Sequence, residues 1–111
     1  LSKIFTFGLK WDTLSIQKAI VDHLNDLKWN VTTSLGFADS GQSALIITAF
    51  KKKNAIIIQL ENEGKQIRIQ AGIQGKYLPK GKQIAKYEEV FPHTGIKQAS
   101  KLFEKILEDL K

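Results

Sequence analysis

The chain contains no cysteine, no methionine, two prolines, two histidines and one arginine, Arg68, among its seventeen basic residues. Without cysteine there is no disulfide framework, no thiolate nucleophile and no cysteine metal site. Nowhere does an apolar run approach the roughly 20 residues that a membrane-spanning helix needs. A single arginine removes the side chain best suited to bidentate reading of bases and phosphates, whereas lysine acts as a point charge. The chain begins at Leu1 and no basic-then-apolar leader precedes it. The expectation is a mature or excised piece of a soluble protein. The cytoplasm is slightly favoured, and a removed N-terminal signal or anchor stays open.

What is present suits one domain. A chain of 111 residues, 42% hydrophobic and 25% charged, is ordinary for a globular protein. It is large enough to bury about two-thirds of its unfolded surface. Residues 3–11 alternate, with Phe5, Phe7, Leu9 and Trp11 on one side, as in a half-buried strand. Asp12 and Thr13 offer cap oxygens for a helix in which Ile16, Ala19, Ile20, Leu24 and Leu27 recur at helical spacing. The helix feeds a strand at Trp29–Val31 with almost no loop.

Val31, Thr33, Leu35 and Phe37 define one face of that strand, and Asp39-Ser40-Gly41 is a turn cluster. Strands follow over 43–50, 55–61 and 65–74, separated by turns at Lys51–Asn54 and Asn62–Gly64. Ile67, Ile69, Ala71 and Ile73 give the cleanest alternation. Residues 75–93 read as irregular, with a short extra strand at 83–87, and such a long loop is usually functional. Thr94 is positioned to cap a final amphipathic helix built on Ile96, Ala99, Phe103, Ile106 and Leu110.

The order β-α-β-β-β-β-α predicts an α+β domain spanning residues 1–111. Its core would be a curved antiparallel sheet of four to five strands, with helices packed on one face. In outline this resembles the helix-grip fold and half of a TATA-binding-protein-like fold. The resemblance covers architecture alone and implies no function.

Charge is unevenly placed. Residues 1–50 carry four lysines against four aspartates. Residues 51–86 carry eight lysines and Arg68 against Glu61 and Glu63, and residues 87–111 carry four lysines against five acids. The central surplus accounts for the net +6 and attracts anions at range. In a meander, alternate turns lie at opposite ends of the sheet. Lys51, Lys52 and Lys53 are therefore expected to share one end with the segment holding Lys76, Tyr77, Lys80, Lys82 and Lys86, and the Asp39 and Glu61–Glu63 turns the other. Tyr77 and Tyr87 would lie within the basic segment, able to stack on bases. Solvated turn lysines explain the same pattern with no partner, since charge at a sheet margin also discourages edge pairing.

A second expected surface is the outer sheet face, where Ile46, Thr48, Phe50 and Ile57 join Gln59, Gln66, Arg68 and Gln70. A face of this mixed character suits a partner or a second copy of the chain.

Catalytic constellations are missing. His23 reads as a semi-buried packing residue and His93 as an aid to capping, and neither has a metal-ligating partner at i+4. No nucleophile elbow or Walker loop exists. Gly72-Ile73-Gln74-Gly75 has GxxG spacing but ends a strand, unlike the helix-joining loop of RNA-binding KH domains. Glu88 and Glu89 are adjacent in sequence and would point to opposite faces of a strand.

The function expected from sequence is a small non-enzymatic binding or adaptor domain without cofactor or metal. It would dock an acidic protein, nucleic-acid phosphates or an anionic membrane surface through Lys51, Lys52, Lys53, Lys76, Tyr77, Lys80, Lys82 and Lys86, with Arg68 as a secondary contact. The alternative is a carrier of an apolar small molecule or lipid in a cleft between the last helix and the sheet, lined by Phe5, Phe7, Trp11, Phe37 and Phe103.

Overall fold

The computed structural model describes residues 13–38, 40–62, 65–73, 87–92 and 95–110. The strand expected over 3–11 lies outside them. The elements are α1 (Thr13–Asp26), β1 (Asn30–Phe37), β2 (Ser43–Lys51), β3 (Asn54–Glu61), β4 (Gln66–Ile73), β5 (Tyr87–Pro92) and α2 (Ile96–Asp109). The five strands form one open antiparallel sheet in sequence order, with one helix before it and one after: an α+β fold.

Alternation decides which side chains meet. Ile47, Ala49, Ile56, Ile58, Leu60, Ile67, Ile69 and Ala71 are fully buried on the inner face. The cross-strand partners Ile47–Ile58–Ile69 and Ala49–Ile56–Ala71 run as rows across the sheet. The helices cover this face, α1 over β1 to β3 and α2 over β4 and β5. Ile16, Ile20 and Leu24 of α1 and Ala99, Phe103 and Ile106 of α2 have no exposed surface. Each large apolar side chain so buried contributes about 1.5–3 kcal/mol relative to water.

The end of α1 is closed in part by its own backbone. Trp29 N–H reaches Leu24 O at 3.0 Å and Lys28 N–H reaches Asn25 O at 3.0 Å, while Lys28 takes φ 70°. This is a Schellman motif with lysine where glycine is usual, and Trp29 packs back on the core beside Leu24. The turn after β1 is a three-residue hairpin loop. Ala38 N–H bonds Gln42 O at 2.8 Å, Gly41 N–H bonds Ala38 O at 2.9 Å, and Gly41 takes φ 86°. Lys52 and Lys53 alone connect β2 to β3, since Lys51 pairs with Asn54, and Lys52 takes φ 56°.

The region read as irregular over 75–93 contains β5. Its residues 87–92 pair with β4 from Ala71–Tyr87 to Gln66–Pro92. Glu88-Glu89 and Pro92 obscure the alternation in sequence, yet Tyr87 and Phe91 still pack against the core. Helix α2 starts at Gly95 with no side-chain cap, and Thr94, expected in that role, lies outside the described residues.

Candidate functional site

Antiparallel order fixes two ends of the sheet. At one end lie the Lys52–Lys53 turn, the exit of α1 and the last turn of α2. Lys51 Nζ donates to Leu27 O at 2.7 Å, so this lysine satisfies a carbonyl at the end of α1. Asn54 Nδ2 donates to Leu110 O at 2.7 Å and does the same for α2. Lys28, Lys52 and Lys53 are exposed beside them. Ile73 pairs with Asn54, and Tyr87 pairs with Ala71. Ile73, the last residue of β4, and Tyr87, the first of β5, therefore both lie at this same end. Lys76, Tyr77, Lys80, Lys82 and Lys86 fall between them in sequence and lie outside the described residues.

Two expectations change here. Tyr87 is not part of the basic segment: it is the first residue of β5, half-buried, and its hydroxyl donates to Asp109 Oδ2. That bond favours the neutral phenol and raises its pKa above the usual 10.0. The lysines are also not the sole charges at this end. Helix α2 runs toward it and brings Glu104, Glu108 and Asp109, a consequence of helix direction that a count along the chain does not reveal.

Arg68 is elsewhere. It stands opposite Gln59 on the outer face, five residues along β4 from Ile73, or about 17 Å at strand rise. Its guanidinium meets Glu88 at 3.1 Å, and Gln70 donates to the same carboxylate at 2.5 Å. With Ser40, Gln59, Glu61 and Gln66 it borders a hollow of about 30 Å³ near the opposite end of the sheet. There Ser40 donates to the buried Glu61 carboxylate at 2.9 Å.

The outer face has the expected composition. Ile46, Thr48, Phe50, Ile57, Gln59, Arg68 and Gln70 lie on it, each half-buried. Ile46 lies over Gly36, where a Cβ would stand 2.6 Å from its Cδ1. Glu88, opposite Gln70, faces outward, whereas Glu89, opposite Ile69, faces the other way.

Between the two helix ends is a cleft of about 130 Å³. Leu27, Trp29, Leu107 and Leu110 give it apolar walls, and His23, Lys51, Glu104 and Glu108 a polar rim. Burial lowers the His23 pKa from its usual 6.5, against the opposing pull of Asp26 and Glu104. The His23 ring tilts against Phe103 at 6.4 Å between centroids. Of the expected cleft residues, Phe103 is fully buried in the core, Phe37 is 74% exposed, and Phe5, Phe7 and Trp11 lie outside the described residues.

Among the described residues no group of His, Asp and Glu is placed to hold a metal ion. No described helix is long and apolar enough to cross a membrane. Compared with protein families, curated proteins and solved structures, the chain finds no match.

Proposed function

We propose that this is a non-enzymatic binding domain that docks an acidic macromolecule at the end of the sheet built around Lys28, Lys52 and Lys53. One observation carries the reading: two lysines at this end, Lys28 and Lys52, occupy left-handed backbone positions, at φ 70° and 56°. Glycine or asparagine would sit there at less conformational cost. Backbone strain held by a charged, exposed side chain points to a use for that side chain. Lys51 contributes charge while anchored to α1. Ile73 and Tyr87, the described residues that bound the stretch 74–86 in sequence, both lie at this end. Lysine without arginine suits an acidic protein surface or a phosphate backbone met through long-range attraction rather than base reading.

The test is a salt series. Binding of the chain to an acidic protein and to a nucleic-acid duplex is measured from low to moderate ionic strength, beside Lys52→Gln/Lys53→Gln. The reading expects affinity that falls as salt rises and a shallower slope for the double variant. Binding that is absent, or flat across the series and indifferent to the variant, overturns it.

A second reading, carriage of a small apolar molecule, is favoured by the cleft walled by Leu27, Trp29, Leu107 and Leu110. Leu107→Trp would fill that cleft and leave polyanion binding intact, so the two readings separate.

A further inference from the structure

Among the described residues β1 and β5 are the two edges of the sheet, and they differ in a way that bears on self-association. Edge strands expose unpaired backbone groups, and proteins commonly blunt them with charge or proline. Strand β5 follows that rule with Glu88, Glu89 and Pro92. Strand β1, Asn30–Phe37, contains no charge and no proline over eight residues, NVTTSLGF. Leu35 is 76% exposed and Phe37 74% exposed. Both lie on the inner face by register, beyond the part of β1 that α1 covers at Val31.

Hydrogen-bond alternation shows which groups the edge offers. Ala38 N–H bonds Gln42 O, so the even-numbered residues of β1 exchange bonds with β2. The N–H and C=O groups of Val31, Thr33, Leu35 and Phe37 then point away from the sheet, to the same edge that exposes the two apolar side chains.

We propose that β1 pairs antiparallel with β1 of a second copy of the chain, about a two-fold axis through Ser34, extending the sheet across the dimer. This register sets Val31 opposite the partner's Phe37 and Thr33 opposite the partner's Leu35. Those are β-branched residues against aromatic or aliphatic ones, the cross-strand combination that sheets favour. It sets Thr32 against Gly36 on the outer face, where the Ile46 side chain already lies over the glycine. The same operation at β5 would crowd Glu88 and Glu89 against their own copies. A two-fold contact uses the same patch twice and closes, so it gives a dimer and no fibre. In this arrangement the second copy meets the edge of the sheet and leaves the outer face free.

The absence of cysteine makes the test clean. Residue 34 forms a non-hydrogen-bonded pair across the axis, with Cα atoms about 4.5 Å apart, within disulfide reach. The chain 1–111 should show a concentration-dependent monomer–dimer equilibrium by sedimentation. Ser34→Cys should oxidise to a covalent dimer, while Val90→Cys on β5 should not. Leu35→Lys/Phe37→Lys, at exposed positions that leave the core intact, should sediment as monomer with unchanged circular dichroism. Amide exchange at Val31, Thr33, Leu35 and Phe37 should slow with protein concentration. A monomer at all concentrations overturns the proposal. So does slow exchange at those amides in a monomer, which would mean the chain covers its own edge. Equal cross-linking through Val90→Cys, or growth into fibres, would also end it.

Discussion

Lys28 and Lys52 are the residues on which backbone energetics and charge pull in opposite directions. Each holds φ above +50°, and neither has the glycine or asparagine that makes such a position cheap. Lys52→Gly should raise stability by about 1 kcal/mol in urea unfolding and at the same time weaken polyanion binding. A fall in stability would show that the lysine side chain itself supports the turn. His23 has the opposite character, a titratable group drawn toward the core. Its folded pKa lies below the usual 6.5, so below that pH the unfolded chain binds the proton more readily than the folded one. Its contribution is therefore complete above about pH 6.5 and declines as pH falls from there toward the folded value. Thermal melts from pH 7.5 to 5 should show this slope, and His23→Gln should flatten it.

Among the elements, α2 is the least well terminated. It begins at Gly95 with no side-chain cap and no acid in its first turn, and it ends with Glu108 and Asp109 where basic residues would suit the helix dipole. A Cβ at Gly95 would meet Pro92 and Gln98 only at ordinary contact distances of 3.4–3.6 Å. Yet Gly95 is buried and its ψ of 30° is not the extended backbone of a side-chain cap, so Gly95→Asp should destabilise the domain, by about 1 kcal/mol or more. Chemical denaturation checks this. Phe103→Ala tests the same helix from its buried side and should cost about 3–5 kcal/mol, since the side chain has no exposed surface. The Arg68–Glu88 pair is half open to water, and Glu88→Gln should change stability by less than about 1 kcal/mol.

For the molecule as a whole, the arrangement of charge follows from connectivity. The meander was legible because three strands carry period-two patterns and their turns carry turn chemistry. Ile47–Ile58–Ile69 is the row that those patterns produce once the strands pair in sequence order. Strand β5 was not legible, because Glu88-Glu89 breaks the alternation and its pairing with β4 depends on contacts distant in sequence. Nor could the sequence show that Arg68 lies about 17 Å from the lysine turn, or that α2 delivers Glu104, Glu108 and Asp109 beside it. Lys52→Glu/Lys53→Glu should abolish salt-dependent binding while unfolding within about 0.5 kcal/mol of wild type, as expected of exposed positions. Unchanged binding by that variant would move the docking surface away from this end of the sheet.

The sequence by itself determined the local order, one helix, four of the strands and a second helix, and much of the inward-facing set, although Leu27, Leu35, Phe37 and Ile73 of the expected apolar faces are exposed. These depend on residue spacing and on turn and cap preferences, which act over a few residues. Tertiary structure decided the rest: the fifth strand, the fate of Lys51 as a helix-end donor, the mixed charge around Lys52, and, among the described residues, the contrast between the uncharged β1 edge and the blunted β5 edge. Those outcomes arise where segments far apart in the chain compete for the same hydrogen bonds and the same space, a competition settled only when the sheet is assembled.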